Sequence, residues 1–227
     1  IRSKVDCEAV EKYKPQYPDN VARARRNVRR QKQEFKYFKG NSHEPGSLTV
    51  MDTAPEIMKS IDHQVGFGVC VDAHSKYISL KTFSTKRDNW KLVDDHADLL
   101  LEYDHVIGYG RPDNGTETAS LQCKKTMQRR GMSMETASTK APNEIAIAEK
   151  TIGKLVRTAV AILDWAALPW QFWSFAVRAA CDILNMTPRR GVEQSPYEIF
   201  RRGERPILHR CNVFGERWLL RARSRSK

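Results

Sequence analysis

The stretch Arg111-Pro112-Asp113-Asn114-Gly115-Thr116-Glu117 decides the predicted fold, because it places a carboxylate where a strand ends and a turn begins. The apolar run His105-Val106-Ile107-Gly108-Tyr109 precedes it, and helical sequence follows the turn. Thirty-five residues separate Asp113 from Glu149, which lies early in a second, longer helical pattern. A helix packed on the strand can bring the second carboxylate to the first. Two such groups, with a third from elsewhere, supply the ligands of a divalent-metal site for phosphoryl transfer.

Alternating and helical patterns of apolar residues predict an α/β domain with a mixed sheet. Residues 65–72 and 77–83 are rich in β-branched and aromatic side chains and flank a short polar turn, which predicts a hairpin. The other predicted strands are residues 47–52, the strand that ends at Asp113, and the short segment 132–137. The predicted helices are residues 86–103, 118–130, 143–165, 169–186 and 195–202. A further strand is expected over residues 212–220, at the start of a truncated region.

The third carboxylate is expected from another predicted strand. The first and fourth strands end in Asp52 and Asp113. If these strands are neighbours in the sheet, the two carboxylates lie side by side, and Glu149 can join them from the long helix. Asp72, at the end of the strand 65–72, is the alternative to Asp52.

The long helical pattern from Asn143 to Trp165 carries one apolar face. Its members recur at about 100° per residue: Ile145, Ala148, Ile152, Leu155, Val156, Ala159, Ile162 and Leu163. Lys150, Lys154 and Arg157 cluster on the opposite face and are candidates for contact with nucleic acid. Glu149 falls inside the edge of the apolar face, where a carboxylate is costly unless it is paired or bound to a metal. The alternative is a position at the rim, where Glu149 reaches water.

The composition of the 227-residue chain indicates one sizeable domain with additional arms. Lys and Arg total 39 against 27 Asp and Glu, and the net charge of +12 favours a polyanionic partner, most simply nucleic acid. The charge alone fits a protein with a basic surface and no such partner equally well. No run of eighteen apolar residues and no signal peptide is recognised, so no membrane segment is expected. The five scattered cysteines are typical of a reduced, intracellular protein, and we expect a nuclear or cytoplasmic location.

The chain ends are basic and are predicted to lie outside the core. Residues 1–45 form an N-terminal arm whose arginines are candidates for phosphate contact or for plain solvation: Arg25, Arg26, Arg29 and Arg30. Residues 204–227 are expected to be a linker and the start of a C-terminal region. The core is therefore expected between residues 46 and 203.

The order and spacing of these motifs resemble those of retroviral and retrotransposon integrases. Asp52, Asp113 and Glu149 match the family's catalytic triad, and Asp113-Asn114-Gly115 matches its Asp-Asn-Gly. Val71-Asp72-Ala73-His74-Ser75-Lys76-Tyr77 is similar to the family's hairpin, in which the Asp shapes the turn; this favours Asp52 as the first ligand. Motifs of the C-terminal half resemble the copia type: Leu168-Pro169, Phe172-Trp173, Ala176-Val177, Ile183-Leu184-Asn185, Thr187-Pro188, Ser195-Pro196-Tyr197-Glu198 and Val213-Phe214-Gly215.

The resemblance, over residues 47–216, implies an RNase H-like fold with a mixed five-stranded sheet flanked by helices. It implies polynucleotidyl transfer on DNA in two steps, which trim the 3′ ends of an element and join them to target DNA. Asp52, Asp113 and Glu149 are then the expected ligands of Mg²⁺ or Mn²⁺. DNA, both element ends and target, is the expected partner, and a homo-oligomer is the expected assembly.

The sequence also departs from the family pattern. Val10 replaces the second Cys of a zinc-knuckle motif in Cys7-Glu8-Ala9-Val10, so no zinc is predicted. Ile145-Ala146 stands where the family usually has Asn-Gly, and Lys150 replaces the usual Arg. The altered zinc-knuckle motif and the altered loop leave open a catalytically inactive nucleic-acid-binding derivative. A transposase with the same triad is a further alternative, and the copia-like motifs of the C-terminal half count against it.

Overall fold

A computed structural model describes residues 44–112, 121–134, 142–207 and 214–215. The strands of this part are β1 (Leu48–Thr53), β2 (Gly66–Asp72), β3 (Ile78–Phe83), β4 (Tyr109–Pro112) and β5 (Ser133–Met134). The α-helices are α1 (Trp90–Glu102), α2 (Leu121–Arg129), α3 (Pro142–Trp165), α4 (Trp173–Met186) and α5 (Pro196–Phe200). Short 3₁₀ turns precede α1 at Lys86–Asn89 and α4 at Trp170–Phe172.

The five strands form one mixed sheet in the order β3-β2-β1-β4-β5. Strand β1 pairs antiparallel with β2 and parallel with β4, and β4 pairs parallel with β5. The prediction of a mixed five-stranded sheet is therefore confirmed. The first and fourth strands are neighbours, which meets the condition that the sequence analysis left open. The predicted hairpin is formed by β2 and β3, which pair antiparallel.

Two hydrophobic cores lie on the two faces of the sheet, because successive residues of a strand point to opposite sides. Val50 of β1 belongs to the core that β1 and β2 share with α3 and α4. Met51, the next residue, belongs to the core with α1, α2 and Phe200 of α5. Since helices cover both faces, β1 is buried from Leu48 to Asp52.

Helix α3 largely confirms the apolar face that the sequence predicts. Ala148, Leu155, Ala159 and Leu163 are buried in the core with Val50. The prediction was wrong at Val156, which is exposed. Val156 follows Leu155 and is turned about 100° away from it, so it lies at the margin of the packed face.

Helix α4 is apolar nearly all round, but only one of its faces is packed within the described part of the chain. Trp173, Ala176, Val177 and Ala180 are buried against the sheet and α3, and Trp173 Nε1 donates to the carbonyl oxygen of Met58 at 2.7 Å. Two large apolar side chains on its other side are exposed, Phe175 and Ile183. No helix among the described residues is long and apolar enough to cross a membrane.

Candidate active site

Asp52 lies near the carboxyl end of β1, where the strand leaves the core. It shares the sheet face of Val50 by strand alternation, which is the face that α3 covers. The residue is 8% exposed, and its Oδ1 accepts a hydrogen bond from the backbone N–H of Thr53 at 2.7 Å. The carboxylate is thus held at the edge of the sheet, beside the long helix.

The neighbouring parallel strand ends at the same edge. Val50 pairs with Arg111 and Met51 with Pro112, so the described register stops one residue before Asp52 and one before Asp113. Asp113 itself lies outside the described residues. Its assignment as a ligand therefore stays a prediction.

Glu149 lies in the second turn of α3 and is exposed. Of the two alternatives from the sequence, the rim position that reaches water is the one observed, so the cost of burying a charge gives no argument for a metal here. The helix does run beside the end of β1, because Ile152 of α3 and Ala54, two residues after Asp52, line one apolar cavity of about 190 Å³. Glu149 precedes Ile152 by three residues, about one helical turn.

Asp72 is engaged at the opposite end of β1. Its Oδ1 accepts from the backbone N–H of Gly46 at 2.8 Å, and its Oδ2 accepts from the backbone N–H and the hydroxyl of Ser75, both at 2.6 Å. The residue is fully buried and pairs with Thr49, near the start of β1. Asp72 therefore closes the turn after β2, as the resemblance implies, and is directed away from the edge at Asp52.

The donor chemistry of this edge suits a hard divalent cation, because carboxylate oxygens are the ligands that Mg²⁺ and Mn²⁺ prefer. Asp52 and Glu149 are the candidates among the residues that the structure describes. Within that part of the chain, no cluster of three or more His, Cys, Asp or Glu side chains is close enough to hold a metal. The predicted site of three carboxylates includes Asp113, which lies outside the described residues, and so it stays a prediction.

A cationic face runs along α3 next to Glu149. Lys150, Lys154 and Arg157 are all exposed, at spacings of four and three residues that place them on neighbouring turns. This confirms the exposed position expected from the sequence and leaves their contact with DNA as a prediction. The four candidate arginines of the N-terminal arm, Arg25, Arg26, Arg29 and Arg30, lie outside the described residues, as do Cys7 and Val10.

Asn89 is a residue near this edge that the sequence analysis missed. Its Nδ2 group donates to Thr53 Oγ1 at 2.8 Å, which links the start of α1 to the residue after Asp52. The sequence predicts one continuous helix from residue 86, whereas the structure has a 3₁₀ turn before α1 begins at Trp90. From the sequence, an Asn before an apolar helical pattern predicts a helix cap. The contact of Asn89 with Thr53, 36 residues away in sequence, has no local signal that could predict it.

The sheet order and the flanking helices match the fold of integrase catalytic cores. The magnesium-bound trimeric form of the HTLV-2 integrase core matches 70% of this chain and 99% of that one, with a TM-score of 0.54 and 15% identity. A chain of the simian T-cell lymphotropic virus intasome, solved in complex with the PP2A regulatory subunit B56 gamma, matches over 79% of this chain and 61% of that one, with a TM-score of 0.56 and 15% identity. The BIV integrase core matches over 67% of this chain and 92% of that one, with a TM-score of 0.50 and 18% identity.

The homologous sequences are Pol polyproteins of plant transposons. The retrovirus-related Pol polyprotein from transposon TNT 1-94 of Nicotiana tabacum is 31% identical over 135 residues, which are 59% of this chain and 10% of the polyprotein. That from transposon RE1 of Arabidopsis thaliana is 24% identical over 178 residues, 77% of this chain and 12% of the polyprotein. The chain thus spans about a tenth of the length of these relatives. No protein-family model matches it.

Proposed function

We propose that the chain is the catalytic core region of a copia-type retrotransposon integrase, which trims the 3′ ends of an element and joins them to target DNA. The observation that carries the proposal is the parallel pairing of β1 with β4. It aligns Met51 with Pro112, and one further step of the same register would set Asp113 opposite Asp52. The homology to transposon Pol polyproteins supports the same conclusion.

In this proposal Asp52, Asp113 and Glu149 hold Mg²⁺ or Mn²⁺. The bound cations would stabilise the charge on the attacking and leaving oxygens of an in-line displacement. The fixed carboxylate of Asp52, held by the backbone N–H of Thr53, needs little reorganisation when its ligand arrives. Glu149 is exposed, so a DNA end can approach it from solvent.

The cationic face of α3 binds the DNA backbone in this scheme. Lys150, Lys154 and Arg157 are exposed and follow Glu149 directly along the helix. Phosphate contacts of this kind fix the register of DNA without reading its sequence. The N-terminal arm, residues 1–45, adds further phosphate contacts, and residues 204–227 lead towards a C-terminal region. A homo-oligomer that acts in the nucleus on element ends and target DNA completes the proposal.

The experiment that tests the proposal is Mg²⁺-dependent strand transfer with duplexes that carry the element's ends. Asp113→Asn and Glu149→Gln are each expected to lower the rate by at least about 100-fold, because each removes a charged ligand. Asp164→Asn is the matched control, since Asp164 is an exposed carboxylate of the same helix, fifteen residues beyond Glu149. Activity that persists in Asp113→Asn would refute the assignment.

A catalytically inactive DNA-binding derivative is the second candidate, and the exposed cationic face of α3 supports it as well. The two candidates differ in one measurement. The derivative binds DNA with the same salt dependence but shows neither Mg²⁺-dependent trimming nor joining.

A further inference from the structure

Asn89 connects the start of α1 to the carboxylate of Asp52 in two steps. Its Nδ2 group donates to Thr53 Oγ1 at 2.8 Å, and the backbone N–H of Thr53 donates to Asp52 Oδ1 at 2.7 Å. Asn89 and Asp52 also line the same crevice, which has a volume of about 10 Å³. The amide is therefore linked to Asp52, on which the proposed chemistry depends, through Thr53.

Asn89 does not serve as a helix cap, although it occupies the N-cap position of α1. An asparagine there ordinarily accepts a hydrogen bond from the backbone of the first helical turn, but this side chain makes no capping bond. Asn89 is only 4% exposed. Its Oδ1 atom is buried and has no hydrogen-bond partner among the described residues. Because an unpaired buried acceptor destabilises a fold, helix stability alone does not explain this amide.

The adjacent strand leaves space for the amide. Gly68 of β2 pairs with Thr53, and a Cβ atom on Gly68 would lie 2.6 Å from Asn89 Oδ1 and 3.0 Å from Leu92 Cδ2. A larger residue at position 68 would push the amide away from Thr53. Gly68, Thr53 and Asn89 thus form one packed group beside Asp52.

We propose that Asn89 is a positioning residue for Asp52 that acts through Thr53. The inference rests on the proposed function, because it takes Asp52 to be a metal ligand. Asn89 need touch neither metal nor DNA; it holds the Thr53 side chain, and the Thr53 backbone orients the Asp52 carboxylate before a cation binds. Removing a hydrogen-bond partner that orients a metal ligand typically weakens metal binding by about 10–100-fold.

The test is calorimetric titration of the full chain with Mn²⁺, without DNA, so that the readout does not depend on activity. Asn89→Ala and Thr53→Val are each expected to weaken Mn²⁺ binding by about 10-fold. The combined variant should bind no more weakly than either one, because both substitutions break the same hydrogen bond. Thr53→Ser keeps the hydroxyl and should keep wild-type affinity, whereas Gly68→Ala should behave like Asn89→Ala.

Asp52→Asn separates failure of this inference from failure of the proposed function. If Asp52→Asn loses Mn²⁺ binding while Asn89→Ala and Thr53→Val bind as the wild type does, the positioning role is refuted and the metal site stands. If Asp52→Asn itself binds Mn²⁺ with wild-type affinity, the proposed metal site is refuted. Should circular dichroism show that Asn89→Ala is unfolded, the comparison of Thr53→Val with Thr53→Ser decides the question alone.

Discussion

An aspartate lies at each end of the pair formed by β1 and β2, Asp72 of β2 beside the start of β1 and Asp52 near its other end, and the surroundings of the two differ. We call the start of β1 the turn end; there Thr49 pairs with Asp72 of β2. We call the other end of β1 the site end; there Asp52 pairs with Val69 of β2. The two pairings are three residues apart, roughly 10 Å along the strand. At the turn end, both carboxylate oxygens of Asp72 accept hydrogen bonds from Gly46 and Ser75. At the site end, Asp52 lies where a parallel strand and a long helix converge.

An aspartate at the end of a strand can therefore either stabilise a turn, as Asp72 does, or remain available to bind a ligand. Asp72 is surrounded by N–H and hydroxyl donors of its own chain, which satisfy its charge locally. The site end lies beside helix α3, on which Glu149, Lys150 and Lys154 are exposed. We therefore expect stability to depend on the turn end and chemistry to depend on the site end.

The largest expected effect is on catalysis and comes from Asp52→Asn. Strand transfer should fall by at least about 100-fold, equivalent to about 3 kcal/mol or more of transition-state stabilisation. The free energy of unfolding should change little, because the substitution preserves shape at a residue on the rim of the core. A parallel measurement of strand transfer and urea unfolding tests both halves of the expectation, and a variant that loses stability and activity together would contradict it.

The turn end should give the reverse result. Asp72→Asn is expected to lower the free energy of unfolding by about 3 kcal/mol, because an amide NH₂ replaces one of two oxygens that face buried donors. Asp95→Asn is the control, since Asp95 makes an exposed ion pair with Lys81 that contributes about 1 kcal/mol or less. Urea unfolding at constant pH measures both. If the Asp72→Asn variant kept its stability and lost only Mn²⁺ binding, the roles assigned to the turn end and the site end would have to be reversed.

Most of the fold could be predicted from the sequence because its elements depend on local periodicity. Residues 65–83 alternate and turn as a hairpin does, and β2 and β3 form there. The long helix was predicted from residue 143 and begins at Pro142. The pairing of β1 with β4 enters the sequence analysis only as a condition, and the structure meets it.

The parts that the sequence could not predict depend on tertiary contacts. Asp52 and Asp72 both lie near the ends of apolar strands, and without appeal to a resemblance the tertiary structure is needed to show that Asp72 is bound by Gly46 and Ser75 in a turn. The sequence places Glu149 at the edge of the predicted apolar face of the long helix. The structure shows that Glu149 is exposed, which depends on how neighbouring elements pack against that edge. The contact of Asn89 with Thr53 joins residues 36 positions apart, which no local pattern encodes.

His96 provides a pH test of the turn end, with an expected effect of about 2 kcal/mol. It is fully buried, with Nε2 3.0 Å from Thr49 Oγ1 and Nδ1 2.8 Å from Ser79 Oγ, and burial lowers its pKa to about 4. The folded state therefore favours neutral His96, while the unfolded chain binds a proton below about pH 6.5. Its contribution is present above pH 6.5 and is lost as the pH falls towards 4.

Urea unfolding at pH 7.5 and at pH 5.0 measures this loss. The wild type should lose about 2 kcal/mol from this group between the two values, and His96→Gln should remove that part of the pH dependence. His63→Gln is the matched control, because His63 is exposed. An unchanged pH dependence in His96→Gln would show that the stability of the turn end does not depend on a neutral imidazole.

The smallest effect is expected from a single cation beside the site end. Lys154→Ala should weaken DNA binding without altering the free energy of unfolding, because Lys154 is exposed on α3. If its ammonium neutralises one phosphate, the slope of log affinity against log salt concentration falls by about 1. Lys124→Ala is the matched control: Lys124 is equally exposed, but it lies on α2, which packs with α1 on the opposite face of the sheet. Equal slopes for the two variants would mean that DNA binding depends on the net charge of +12 and not on the cationic face of α3. The proposal that the cationic face orients DNA at the site end would then be refuted.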